Sequence, residues 1–422
     1  MIPSPGPAEA SCQRPCLRPL EVLPTEIDGE QMYCLRDHLE PDAALLVSRA
    51  AALLLSLMDG QRDLGQLSAA FELRTGQALP PGEIEGYVRQ LDEAYLLEGG
   101  RFAARLAELR AAYQAAPCRE AIHAGGAYAG EPAALRAALD GYFRDRDGPG
   151  GPPGSATDRE LLALVAPHVD LHRGGPTYAW AYRALAEAAP PELVVLLGTS
   201  HAPLDTPFAA TLKDYDTPFG PLATDRSFVH DLMEAYHGDL LADELAHRAE
   251  HALEFQAVYL RYLQVAGRLG RVQVVPILCG SPHAHGPDAD APDAPAPVAE
   301  FLAILATRLA ADPRRRCIVA GADLAHVGPQ FGDAAPVTAE FLAEVGDQDR
   351  GMLEIAAAGD AAGFLHNVLD DGDRRRICGV APIYALLRLL PPAHGETLRY
   401  TQWADRDGSA AVTFASVAYH RA

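Results

Sequence analysis

Leu193-Val194-Val195-Leu196-Leu197-Gly198-Thr199-Ser200-His201 is a run of five apolar residues that stops at four small or polar ones. A short apolar run without alternation, too brief for a helix, reads as a strand buried on both faces of a sheet. The same pattern recurs. Residues 161–166 are apolar and end in Pro167-His168, residues 272–278 have similar composition, and residues 317–320 run into Gly321-Ala322-Asp323-Leu324-Ala325-His326. Between and after them, residues 177–187, 228–236, 253–269, 298–309 and 383–390 have helical character. Apolar strands separated by amphipathic helices indicate an α/β sandwich around a mainly buried sheet.

In such sheets ligands bind at the carboxyl ends of the strands, and here those ends carry His168, His201, Asp323 and His326. Two further segments supply donors: Arg376-Ile377-Cys378-Gly379 ahead of a helix, and Glu250-His251-Ala252-Leu253-Glu254 opening the long one. A lone strand-end histidine is more often a hydrogen-bonded structural residue than a ligand. Several at equivalent ends of one sheet point to a shared site. Imidazole and thiolate are good ligands for first-row metals, and two histidines with one anion suit ferrous iron or copper. Asp323 and His326, three apart, are placed to orient a ligand or to act as acid and base beside it.

Ahead of this region the chain changes character. Residues 21–35 read as a hairpin turning at Asp28-Gly29. Three helices follow, over residues 43–58, 64–73 and 81–96, and Glu98-Gly99-Gly100 turns into a closing wing at Arg101-Phe102. That outline is a small α+β winged-helix-like domain over residues 21–100, preceded by a disordered tail, residues 1–20. Its 15 acidic residues against five arginines argue against DNA. The phrase Leu57-Met58-Asp59-Gly60, with the closing stretch 91–97, resembles the PqqD-like modules, which implies a bound peptide or partner protein.

Across all 422 residues Lys plus Arg is 35 and Asp plus Glu 57, a formal charge of −22 that opposes binding to nucleic acid or anionic lipid. Apolar residues at 49% and charged residues at 22% match a folded globular chain of two or three domains. Seven scattered cysteines suit reduced thiols rather than a secreted disulfide framework. The first twenty residues lack the apolar core of a signal peptide, and the longest apolar run, near residues 50–58, is too short to span a bilayer. The expectation is a cytoplasmic protein with no membrane or nucleic-acid partner.

One family accounts for the blocks in order: the string from His123 to Tyr128, Ala166-Pro167-His168, Leu197-Gly198-Thr199-Ser200-His201, Thr217-Pro218-Phe219-Gly220, Glu250-His251, Val275-Pro276-Ile277, Asp323-Leu324-Ala325-His326 and Cys378-Gly379. Together they resemble the Memo family, whose bacterial members are called AmmeMemoRadiSam system protein B. The resemblance covers residues 118–422 and implies the LigB-type α/β fold of the class III extradiol dioxygenases. The Gly/Pro-rich stretch Gly148 to Gly154, a domain linker by composition alone, then falls inside the domain. Residues 144–157 and 282–297 become internal loops. The resemblance further implies one iron or copper ion per chain held by His168, His201 and Cys378, with Asp323 and His326 catalytic in the same pocket. It also implies radical SAM and AMMECR-type partners in a modification pathway. His123, Glu250, His251 and Glu254 are expected to line the pocket. Val169-Asp170-Leu171, Ala202 and Ala325 depart from the family's usual residues, so the pocket wall is expected to differ there.

Weaker candidates are Cys12 and Cys16, which lack a partner pair, and Cys279 and Cys317, which read as core residues. His283 and His285 lie in a solvated Pro/Asp loop, and the charge of Arg374-Arg375-Arg376 is expected to lower the Cys378 thiol pKa or attract an anion. Tyr178, Trp180 and Tyr182 suit either an aromatic pocket wall or helix packing. No Walker loop, dinucleotide fingerprint or nucleophile elbow occurs. Two functions stay open: a metal-dependent redox enzyme, and a non-catalytic scaffold that binds a peptide at its N-terminal module and uses its cleft for recognition.

Overall fold

The computed structural model describes residues 13–27, 30–280 and 296–421. The chain divides into two compact units, Met1–Ala116 and Pro117–Ala422.

In the first unit, strands β1 (Glu21–Ile27), β2 (Glu30–Asp37) and β3 (Glu40–Ser48) form an antiparallel sheet in that order. Helices α1 (Arg49–Ser56), α2 (Leu64–Thr75), α3 (Pro81–Glu93) and α4 (Gly100–Ala115) follow. Three features differ from the sequence reading. The Ala/Leu-rich stretch expected to be helical from residue 43 stays extended to Ser48, because it pairs along β2, with Leu46 opposite Cys34. Ser48 then starts α1 by accepting the Ala51 N–H. The expected wing at Arg101-Phe102 is the first turn of α4. The segment before residue 21 is not a loose tail throughout. Cys16 and Leu17 bridge to Asp59 and Leu97, and the buried Arg18 pairs with Asp37 at 2.8 Å while lying 3.6 Å from the Phe102 ring. Cys12 lies outside the described residues.

The second unit opens with β4 (Cys118–Arg119), α5 (Pro132–Arg144), β5 (Leu161–Ala166), α6 (Leu171–Glu187), β6 (Leu193–Thr199), β7 (Phe208–Ala210) and β8 (Asp214–Tyr215). It continues with α7 (Arg226–Ala235), α8 (Ala246–Ala249), α9 (Glu254–Val265), β9 (Gln273–Cys279), α10 (Ala296–Ala311), β10 (Arg316–Gly321) and β11 (Asp323–Val327). Last come α11 (Ala339–Ala357), α12 (Ala361–Leu369), α13 (Val380–Leu389), β12 (Ala393–Ala404) and β13 (Ala411–Arg421). Eight strands make one mixed sheet in the order β11-β13-β5-β10-β6-β9-β7, with β12 paired outside β13. The centre, β5-β10-β6-β9, is parallel and the flanking pairs are antiparallel. Its strands are apolar on both faces because each face has its own core. Ala163, Val165, Val195 and Leu197 face one, and Leu164, Val194 and Leu196 the other, at the period of two that a strand imposes. This is the expected α/β sandwich. Among the described residues no helix is long and apolar enough to cross a membrane.

The Gly/Pro-rich stretch lies within this unit, pinned to α6. Trp180 Nε1 donates to Asp147 O at 3.0 Å and Arg183 to Pro149 O. His283 and His285 fall outside the described residues. Tyr178 and Tyr182 stack on Tyr259 in the core, with centroids 5.1 and 4.6 Å apart, so they serve helix packing rather than a pocket wall.

Parallel registry brings the strand ends level: Gly321 of β10 lies beside Ala166 of β5 and Gly198 of β6. The turn before α9 crosses directly above. A Cβ on Gly321 would lie 2.6 Å from Ala252 O, and one on Gly198 would lie 2.6 Å from the Leu253 side chain. The Gly321→Ala variant is therefore expected to lose about 1–3 kcal/mol, the usual cost of overpacking a filled interior. Urea unfolding measures it, and an unchanged midpoint would contradict the close approach.

Candidate functional site

Four chain segments converge above the sheet. His168 ends β5, His201 follows β6, His251 lies in the turn between α8 and α9, and Cys378 immediately precedes α13. One ring nitrogen from each of His168, His201 and His251 lies within 4.8 Å of the others. The ring centroids are 5.0 Å apart for His168 and His201, 5.3 Å for His168 and His251, and 4.7 Å for His201 and His251.

Two of the rings are aimed by a hydrogen bond on the far side, and the third lies against a carboxylate. His168 Nδ1 lies 3.1 Å from Gly321 O; a carbonyl only accepts, so Nδ1 carries the proton and Nε2 keeps its lone pair. His201 Nδ1 lies 3.0 Å from the buried Glu250 carboxylate, and His251 Nδ1 is 3.2 Å from the same Oε1. Glu250 also accepts the backbone N–H of His201 at 2.8 Å and of Ala252 at 3.0 Å. One carboxylate thus fixes two imidazoles and the start of the turn.

Burial and charge separate the three rings. Burial, reinforced by His201, pushes His168 down to about 3. Burial also holds His251 well below the usual imidazole range, despite Glu250. Both are neutral at pH 7. Burial opposes ionisation of His201 and Glu250 as well, but their mutual attraction and hydrogen bonds win. His201 is held well above the ordinary imidazole value and Glu250 well below the carboxylate range. The metal-free cluster is therefore two neutral imidazoles beside one imidazolium–carboxylate pair.

Of the expected ligands, His168 and His201 lie in this cluster, and its third close nitrogen comes from His251, which the sequence places among the pocket residues. Cys378 joins from the side, its Sγ 3.1 Å from His168 Nε2 and hydrogen-bonded to His201, while its carbonyl accepts from Thr199 Oγ1. The expectation that the neighbouring arginines lower this thiol's pKa is not met: burial pushes it up, with His201 pulling the other way. Arg375 is committed to Asp349 and Arg376 to Asp333, each at 2.6 Å.

Asp323 and His326 sit beside the cluster. The four residues of β11 from Asp323 to His326 stand opposite three of β13, from Phe414 to Val412; such a bulge sends residues three apart to the same side. Asp323 Oδ1 accepts the His168 N–H at 2.9 Å, and Oδ2 lies 3.7 Å from His168 Nε2. Burial pushes Asp323 up to about 6 and pushes His326 down. His326 Nδ1 is tied to Leu324 O at 3.1 Å, which leaves Nε2 for chemistry. His123 and Glu254 stand behind His251 rather than among the converging nitrogens. The His123 ring bonds Ala249 O at 2.9 Å, and Glu254 is a fully buried partner of Arg119. Arg119 had no signal in the sequence beyond its place just before the His123 block.

Asp323 gives a stability test. In the unfolded chain it ionises near 3.8, and in the folded chain near 6, so this group's contribution to stability is lost as pH rises through that window. In metal-free protein the Asp323→Asn variant, free of that cost, should be more stable than wild type by about 3 kcal/mol near pH 8. The gap should close as pH falls to about 4. Urea titrations at several pH values measure it, and a variant no more stable than wild type near pH 8 would contradict the burial argument.

Residues 119–422 match the family described as Memo-like protein. A MEMO1 family protein of Aquifex aeolicus is 28% identical over 391 residues, covering 92% of this chain and 96% of that protein. That alignment is too long to lie within the second unit alone. MEMO1 family proteins of Thermus thermophilus (29% identical, covering 81% of this chain and 94% of that protein) and Methanopyrus kandleri (30%, 71% and 97%) align over most of their own lengths. With its histidine blocks on the strand ends of one α/β sheet, the chain belongs to the Memo-like protein family.

Proposed function

We propose that this protein is a metal-dependent oxidoreductase that holds one iron or copper ion among His168, His201 and His251, with Cys378 as a thiolate donor. The observation that carries the reading is the convergence of three imidazole nitrogens within 4.8 Å, two of the rings having Nδ1 tied to a backbone carbonyl or a carboxylate. Imidazole with thiolate suits iron and copper better than magnesium or calcium, which prefer oxygen. Such an ion, when bound, supplies one-electron chemistry with dioxygen or substrate.

The chain's own residues do the rest. Glu250 orients His201 and His251 and balances the charge of His201. Loading requires the His201 proton and the Cys378 proton to leave, so affinity should rise with pH. Asp323 holds the backbone of His168, and His326, with Nε2 unengaged by its own strand, is the group placed to give or take a proton from a bound molecule.

Elemental analysis of anaerobically purified, tag-free protein tests the site. About one iron or copper per chain is expected, lost in His168→Ala and His251→Ala and weakened in Cys378→Ser. A His326→Gln variant should keep its metal and lose oxygen-consuming turnover. Wild-type protein that takes up neither ferrous nor cuprous ion would end this reading.

A second reading has its own observation in the first unit. A mainly apolar hollow of about 390 Å³ is lined by Leu35, Ala44, Leu45, Leu96, Phe102 and Leu109, on the side of the sheet's edge strand β3. An extended peptide fits such an edge by adding a strand. A scaffold of that kind, with the radical SAM or AMMECR-type partners that the family resemblance implies, would retain its partner in His168→Ala and Cys378→Ser.

A further inference from the structure

Behind the histidine cluster lies a second, fully buried set of charges that the proposed chemistry does not use. Arg119 and Glu254 have no solvent exposure and form an ion pair. The Arg119 guanidinium also donates from Nε to His247 O at 2.8 Å, from Nη2 to Glu250 O at 2.7 Å and from Nη1 to Glu120 O at 2.7 Å. Glu254 accepts from the Tyr128 hydroxyl and from the backbone N–H of His123 at 3.2 Å. The His123 ring closes the set: Ala249 O can only accept, so Nε2 carries the proton and donates at 2.9 Å.

The carbonyls of His247, Ala249 and Glu250 are therefore all held by groups from residues 119–123, immediately before His251. These carbonyls set the path of a turn lying between a four-residue helix and the start of α9, with little regular structure of its own. His251 itself is packed between His123 and Phe255, with centroids 5.8 and 5.4 Å away. A buried ion pair is weak evidence for stability, since apolar replacements are often neutral. Bracketing a turn that delivers two site residues is a reason to keep one.

We propose that Arg119 and Glu254 are positioning residues that hold the Glu250-His251 turn, and through it the third imidazole of the cluster. The idea rests on the metal reading for its affinity readout only. The test compares wild type with the double variant Arg119→Met/Glu254→Gln, and with Leu139→Ala, a core truncation in α5 of the same unit. Cobalt(II) is the probe, followed by visible absorption and competition. Long-range ¹H–¹⁵N spectra of the metal-free protein report the His201 and His251 rings.

The double variant is expected to bind cobalt about 10–100-fold more weakly, the usual effect of removing an outer partner of a ligand. Its His251 signals should shift or broaden, while Leu139→Ala leaves both readouts near wild type. If the double variant does not fold, Tyr128→Phe, which removes one bond to Glu254, is expected to shift the same signals with a smaller, roughly threefold loss of affinity. Cobalt affinity and imidazole signals indistinguishable from those of Leu139→Ala would overturn the proposal. If wild type binds no cobalt, the metal reading fails, and the imidazole spectra alone decide the positioning role.

Discussion

A single buried carboxylate, Glu250, holds the candidate site together. It accepts from the ring and backbone of His201, lies against the ring of His251 and accepts the N–H of Ala252, so two imidazoles and the turn carrying one of them share one anchor. Without a negative charge there, an imidazolium at His201 would face His168 and His251 with nothing to balance it. The rest of the unit serves that geometry. Parallel registry makes three strands end level, and Gly198 and Gly321 let the turn pass close above them. The bulge in β11 adds Asp323 and His326 from the remaining side.

The site concentrates groups whose ordinary ionisation is disturbed, as functional clefts do. Burial alone would neutralise the whole cluster, and it does so for His168, His251 and Cys378. Only where two opposite charges meet with good hydrogen bonds, at His201 and Glu250, does the ionised form survive. Asp323 is the intermediate case, buried without a partner of comparable strength. A chain of charge −22 therefore surrounds a centre with little net charge of its own.

Much of this was legible in the sequence, and the boundary is physical. The parallel strands could be read because burial on both faces leaves continuous apolar runs, as in residues 193–197 and 161–166, and each run ended on a polar residue that faces the site. The antiparallel strands β12 and β13 could not. β12 is half-buried or exposed along nearly its whole length, and β13 draws on Ala, Thr and Ser as much as on large apolar residues, so neither carries a marked pattern. Residues 43–48 read as helix because alanine and leucine favour it, and only the pairing with β2 keeps them extended. His168 and His201 stood out at strand ends. His251 reads only as a pocket residue, since it lies in a turn whose neighbouring carbonyls are bonded by Arg119 and His123, more than a hundred residues earlier. Local pattern carries no trace of such a contact.

The proposed function requires the three clustered imidazoles, and the Cys378 thiol beside His168, to hold one metal ion together. X-ray absorption at the metal edge of the iron- or copper-loaded protein measures that directly. The multiple-scattering signature of about three imidazoles is expected together with a sulfur scatterer, the sulfur lost in Cys378→Ser and one imidazole lost in His251→Ala. A spectrum of oxygen scatterers alone, or one unchanged by both substitutions, would contradict it.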